Sequence, residues 1–529
     1  MILMYPFKFF QGFSQVDPLE IIQQPVAFSI LFSVFVASFV LLAHLNREKR
    51  GVIAFYVLTT SLLFGLLTYK MEPFGVDHEY GITLTDTAYL AIFHHFSQPL
   101  PANVGYLEYP GISLLTYPFA KILGVSYQLS ASFLQTSFYL VTGSVVYEIT
   151  SRVVKQNTVT ALSIPLFFAF SLEAGNLTLF FPAALGVTLF SSFLLLVKPP
   201  FGRRSLVPAA VLFAGMTISH FYDPLDAVFI IAAMTLPMFF GRVYTNLSYY
   251  LLVFFTIYVA YFTYFAMNYF GSLVPGVYNA FLSILSGNAF GYAFKVASAN
   301  TLGVPAWVAT MDYFDIVLTS IMGSLLALGF IVLKRRKWIR QHTAAAILSV
   351  GSIGVVAFGL TALLASLGSG GGFDLLIAPQ FVVFFSIPFL LYAFSKNKVL
   401  VASITVIAIT LCAPSMFALT YHQISTIAVY PEEIASASYF LKYQLGNLVL
   451  STDPKTAGII GSMHPETNFN YYQEPMLSFP YSDSSYNIIY PEYSYYQQHL
   501  YGYPIQISVI YQHDLVFDDG KSYLLPPAF

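Results

Sequence analysis

Along the first four fifths of the chain, apolar runs of roughly 18 to 24 residues follow one another with short polar breaks. Each is long enough, at about 1.5 Å per helical residue, to cross about 30 Å of hydrocarbon. About twelve such runs begin near Pro25, Gly51, Gln128, Thr158, Leu177, Ser205, Leu225, Asn246, Tyr313, Thr343, Leu375 and Lys398. Short turns join the fourth to the fifth and the sixth to the seventh, so the range is about ten to fourteen. The pattern predicts an all-α polytopic membrane bundle over residues 1–419. From about residue 420 it stops, and shorter periods take over. Pro431, Glu432 and Glu433 suit a helix start and Gly446 a helix stop. A strand over Asn447–Thr452 and alternation over Ile505–Tyr511 follow. Residues 420–529 are therefore expected to form a small α/β extracytoplasmic domain.

The polar breaks alternate in charge. Arg47, Lys49 and Arg50; Arg152 and Lys155; Lys198, Arg203 and Arg204; Arg242; Lys334 to Arg340; and Lys396 with Lys398 hold 16 of the 23 basic residues. All fall in every second connection, which the positive-inside rule places in the cytoplasm. Both termini are then extracytoplasmic. So are a long first loop (71–127), a second large loop (271–312) and the C-terminal region, and chemistry is to be sought on that side.

Composition agrees. The chain of 529 residues is 57% hydrophobic and 9% charged, where a soluble domain carries about 25% charged residues. That excludes a water-soluble globule. A formal charge of −2 leaves no basic surface for nucleic acid. The single cysteine, Cys412, allows no internal disulfide and no Cys-based zinc or iron–sulfur centre. The first 25 residues, with Lys8, Asp17 and Glu20, lack the layout of a cleaved leader. A multi-pass protein of a prokaryotic plasma membrane, archaeal or bacterial, fits these features.

The most concentrated chemistry lies directly after the second run. Glu72, Asp77, His78 and Glu79 put four ionisable groups into eight residues, among Pro73, Gly75 and Gly81, which oppose a continuous helix. In an extended turn Asp77 and Glu79 share one face. Such a pair can deprotonate a hydroxyl or amide, or hold a divalent cation beside a phosphate; a plain acidic surface loop fits equally well. Leu84–Phe96 has the makings of a short helix. A second covers residues 106–124, with Ile112, Leu115, Phe119 and Ile122 at helical spacing, too short to span. It is expected to lie in the interface with its apolar face in the lipid headgroups.

An acidic motif opening the first outer loop, loop-borne helices with the start Glu108, Tyr109, Pro110, alternating crossings and an outer C-terminal domain together resemble the GT-C superfamily. Those membrane glycosyltransferases include the protein-mannosyltransferase and aminoarabinose-transferase types. The resemblance in sequence rests on roughly fifty residues of the first loop. It implies a sugar taken from a polyprenyl-phosphate carrier and given to a protein, lipid or glycan acceptor, with an acid of the loop, Asp77 or Glu79, as catalytic base. The tail has no Trp-Trp-Asp signature, since the two tryptophans are Trp307 and Trp338, which disfavours an N-glycosylation oligosaccharyltransferase.

Other candidates follow from that expectation. The segment Thr217 to Pro224 ends the sixth run with His220, Tyr222 and Asp223, and Asp226 lies just beyond. Ionisable groups at a membrane helix end mark a pathway or a site. His220 is a phosphate or cation contact that Asp223 would orient, while an Asp-Pro turn between tight helices is the alternative. His78, Glu108, Tyr109 and Tyr222 complete the substrate and phosphate contacts. Outer basic residues are scarce, and Lys295 is the main candidate for a leaving phosphate; otherwise a divalent cation, magnesium or manganese, held by Asp77, Glu79 and His220 would neutralise it. Two competing classes remain: a multi-pass secondary transporter, and a polysaccharide polymerase or ligase.

Overall fold

A computed structural model describes residues 18–45, 49–71, most of 83–91, 109–173, 182–196, 203–220, 222–234, 245–266, most of 386–410, residue 439 and five short strands between 450 and 525. The predicted starts at Tyr313, Thr343 and Leu375, the loop 271–312, and Asp77, His78, Glu79, Glu108 and Lys295 lie outside the described residues.

Among the described residues, ten helices carry the membrane-like part: α1 (Pro18–Leu45), α2 (Arg50–Met71), α3 (Gly111–Leu123), α4 (Tyr127–Ser151), α5 (Asn157–Ala161), α6 (Ser163–Glu173), α7 (Pro182–Leu196), α8 (Arg203–Ser219), α9 (Tyr222–Met234) and α10 (Thr245–Tyr264). Further helical turns lie within 83–91 and a helix covers Lys398–Thr410. Nine of the twelve predicted runs thus coincide with a helix. The fourth is broken into α5 and α6 after Ala161. Pro165 is the reason: it has no N–H for the Ala161 carbonyl four residues earlier, and its ring crowds that position.

Two helical stretches among the described residues, Leu129–Ser151 and Leu247–Tyr264, are long and apolar enough to cross a membrane, and seven shorter apolar stretches accompany them. The shorter ones fall below the roughly 18 to 24 residues read from the sequence. Helix α7, with 15 residues, rises only about 22 Å. Its flanking residues 174–181 and 197–202 lie outside the described residues.

The core forms where α4 packs on α2 and α7, α8 on α7 and α10, and α9 on α10. Stacked rings build its centre. Phe213 lies flat on Phe254 at 4.7 Å, and Phe193 and Tyr250 meet Phe254 edge-on at 5.3 and 5.7 Å. Fully burying one such ring contributes about 1.5–3 kcal/mol. Small residues set the closest approaches. A Cβ at Gly143 would overlap the Ser61 hydroxyl of α2, and one at Gly65 would sit 3.4 Å from Thr136.

Cross-ties show which ends share a side. At one end, the Arg152 guanidinium after α4 donates to the Leu195 carbonyl of α7 at 3.2 Å, and Ser205 of α8 bonds the Tyr250 hydroxyl of α10 at 2.6 Å. Arg152 and the start of α8 at Arg203 and Arg204 fall there. The starts of α3, α4, α7 and α9 fall at the other end.

The C-terminal strands, β1 (Leu450–Thr452), β2 (Phe469–Tyr471), β3 (Tyr486–Ile489), β4 (Phe517–Asp518) and β5 (Tyr523–Leu525), make one mixed sheet in the order β2-β1-β3-β5-β4. β1 pairs in parallel with β2 and β3, and β5 runs antiparallel to β3 and β4. The predicted strand at Asn447–Thr452 is realised as β1. The alternation at Ile505–Tyr511 and most of the helix from Pro431 lie outside the described residues.

Candidate functional site

The first loop returns to the bundle through α3. Pro110 stands at its N-cap, and Gly124 closes it with φ 65°, a left-handed turn that brings Val125 N–H to the Ala120 carbonyl. Glycine fits that conformation without steric cost. Ser126 then caps α4 by accepting the Leu129 N–H at 3.2 Å. The loop helix and the next crossing are joined by one tight, fully specified corner.

The face that α3 buries consists of Gly111, Ile112, Ser113, Thr116 and Ala120. Leu114, Leu115, Leu123 and Ile122, the last 82% exposed, point away. The expected stripe of Ile112, Leu115, Phe119 and Ile122 is therefore divided. Ile112 packs inward with Leu84, Ala131, Leu134, Phe138, Ala184 and Leu185, while Ile122 faces outward, where an interfacial helix would meet lipid. Hydroxyls complete the attachment. Ser113 donates to the Thr83 carbonyl at 3.4 Å, and Ser130 of α4 donates to the Thr116 carbonyl at 3.2 Å.

The N-terminus of α3 abuts the end of α8. A Cβ at Gly111 would overlap the Ser219 hydroxyl and sit 2.9 Å from Ser219 Cα and 3.1 Å from the Ile218 carbonyl. The preceding Tyr109 is buried, its ring 6.3 Å from Phe262 of α10. Directly beyond Ser219 the chain turns at His220, whose N–H makes the last helical bond to Met216 at 2.8 Å. His220 Nδ1 lies 2.9 Å from Asp223 Oδ2, both groups buried. This is the pairing expected from the sequence, with Asp223 fixing the orientation of the ring. Tyr222 opens α9 beside it.

Helix α7 closes the other side. A Cβ at Gly186 would overlap Asp223 Oδ2 and lie 2.7 Å from its carboxyl carbon and 3.2 Å from His220 Cβ. Only glycine leaves room for the pair. One turn deeper on α9, Asp226 is fully buried, and so is Asp86 in the first loop. Neither was singled out as a site from the sequence. For Asp226 the available signal was its spacing three residues after Asp223, which puts both on one helical face. For Asp86 it was an acid inside the apolar spacing of Leu84, Ala88 and Ala91.

Among the described residues no three His, Cys, Asp or Glu side chains converge as a metal centre. The cation set Asp77, Glu79 and His220 has only His220 within them. Tyr109, His220, Tyr222 and Asp223 are thus placed together at one end; Asp77, His78, Glu79, Glu108 and Lys295 lie outside the described residues.

No protein-family model and no curated protein matches the chain. Solved structures of similar shape include the oligosaccharyltransferase AglB of the archaeon Archaeoglobus fulgidus, in complex with an inhibitory peptide and a dolichol-phosphate. It is 12% identical over 85% of this chain and 64% of AglB, with a TM-score of 0.44. The apo form of an A. fulgidus oligosaccharyltransferase is 12% identical over 84% of this chain and 71% of its own, with a TM-score of 0.47. ArnT of Cupriavidus metallidurans is 10% identical over 90% of this chain and 98% of its own, with a TM-score of 0.48. The chain spans less than two thirds of the length of the first. At these identities and scores the likenesses locate no residue of the site.

Proposed function

We propose that the chain is a membrane glycosyltransferase that moves a sugar from a polyprenyl-phosphate donor to an acceptor at the extracytoplasmic surface. One observation carries this reading: the first loop is anchored, through Gly111 against Ser219, beside the buried His220–Asp223 pair. Helix α2 ends at Met71 on that same side, since its Gly65 packs on Thr136 and Tyr139 in the first half of α4. Six residues separate Met71 from Asp77, a tether of at most about 21 Å. Both ends of the loop that bears Asp77 and Glu79 therefore return to the His220 end of the bundle.

In this proposal Asp77 takes the proton from the acceptor's hydroxyl or amide, with Glu79 as its partner. The freed lone pair attacks the anomeric carbon, the bond to the phosphate oxygen breaks, and its electrons leave with the phosphate, inverting the anomeric configuration. His220, oriented by Asp223, and Lys295 contact the leaving phosphate; His78, Glu108, Tyr109 and Tyr222 bound the sugar. A divalent cation at Asp77, Glu79 and His220 is the alternative means of neutralising that charge. The outer assignment of this end follows from the basic residues gathered at the other. Because a base acts on the reacting proton itself, Asp77→Asn is expected to abolish transfer in membranes supplied with lipid-linked sugar. Turnover at the unsubstituted rate would remove Asp77 from the base role.

A further inference from the structure

Asp223 and Asp226 occupy one face of the first turns of α9, and their surroundings differ. Asp223 has His220 Nδ1 on Oδ2 and stands in the first helical turn, where the N-terminal end of the helix dipole offsets negative charge. Its Oδ1 has no hydrogen-bond partner. Asp226 lies deeper, past the turn within which the dipole acts, and is 0% exposed. Neither of its oxygens meets a donor, and Asp223 stands three residues before it on the same helical face. Among the described residues no lysine or arginine pairs with either acid.

A carboxylate offers acceptors alone, so three vacant oxygens on two buried carboxylates call for a positive ligand. The size of that ligand is limited by what packs there. Gly186 of α7 already touches Asp223, and a hydrated magnesium ion keeps several waters. Calcium and transition metals want more anionic or imidazole donors than converge here, since His220, Asp223 and Asp226 do not form a three-ligand cluster. A monovalent ion is satisfied by one or two carboxylate oxygens plus neutral ones. The last turn of α8, which packs against α9, carries the buried residues Thr217 and Ser219, whose hydroxyls donate to the Phe213 and Gly215 carbonyls at 2.8 and 2.6 Å and keep lone pairs.

We propose that Asp226 and the free oxygen of Asp223 bind a desolvated monovalent cation of sodium size, locking the start of α9 to the end of α8. This site shares Asp223 with the proposed phosphate contact through His220 but uses its other oxygen, and its test reads binding rather than turnover. The full chain, purified in detergent, is unfolded by heat in sodium chloride and in choline chloride of equal ionic strength, at fixed pH. Sodium at a hundred times its dissociation constant is expected to raise the midpoint by about 2–3 °C, because a ligand bound only to the folded state adds stability by mass action. Asp226→Asn is expected to lose the sodium shift while its midpoint in choline equals or exceeds that of the unsubstituted chain, since the amide removes a buried charge. Equal midpoints in both salts for the unsubstituted chain would overturn the proposal whatever the variant does. A midpoint that responds to pH and not to sodium would overturn it in favour of a bound proton. A sodium shift that survives in Asp226→Asn would place the ion elsewhere.

Discussion

The two ends of the bundle handle charge in opposite ways. At the Arg152 end, the guanidinium reaches the Leu195 carbonyl and lies 3.8 Å from Glu148, which is 55% exposed. Charges there stay in contact with solvent and decorate helix ends. At the His220 end, Asp86, Asp223 and Asp226 are fully buried, His220 nearly so, and glycines at 111 and 186 let backbone and carboxylate touch. A protein needs basic residues at one membrane face for orientation, but nothing about orientation requires three acids to be withdrawn from water. The costly arrangement at the His220 end is the one to associate with function.

Removing one member of the buried pair tests this contrast most strongly. Asp223→Ala removes the carboxylate that holds His220 Nδ1 and is expected to destabilise the fold by about 3–5 kcal/mol, measured by thermal unfolding in detergent. Asp223→Asn retains an oxygen for the ring and is expected to cost clearly less. Next comes the packing around the pair. Gly186→Ala drives a methyl into the Asp223 carboxylate and is expected to cost about 1–3 kcal/mol by the same measurement, with transfer falling because His220 is displaced. At the opposite end, Glu148→Ala is expected to change stability by less than about 0.5 kcal/mol. A large effect at Glu148, or a negligible one at Gly186, would erase the difference between the ends.

Much of the helical layout was legible in the hydrophobic runs, because spans packed among other spans or facing lipid stay apolar for many residues. The His220–Asp223 pair was legible as well, since an imidazole and a carboxylate three residues apart at the edge of an apolar run lower their burial cost by bonding to each other. The orientation of α3 was legible only in part, since Leu115 and Ile122 of the expected outward stripe do face outward while Ile112 turns into the core. Leu and Ile mark the core side of a helix in water, but α3 buries Gly111, Ser113, Thr116 and Ala120 and turns Leu114, Leu115 and Ile122 outward. Where a helix meets other helices closely, small and hydroxyl side chains permit the approach, and the apolar residues are left for lipid.

Asp226 illustrates the other limit. From the sequence it stands just past a crossing and reads as another acid of an outer turn. It is buried because α9 begins at Tyr222, before it, and because α7 and α8 close over that turn.

The order of the apolar helices and the placement of ionisable groups near helix ends were determined by the chain itself, because hydrophobicity and charge cost act on each segment separately. Tertiary structure alone decided that Gly111 meets Ser219, that Gly186 meets Asp223 and that Asp226 is shut away from water. Those contacts depend on which helices become neighbours, and a linear pattern of hydrophobicity carries no information on distances between segments far apart in the chain.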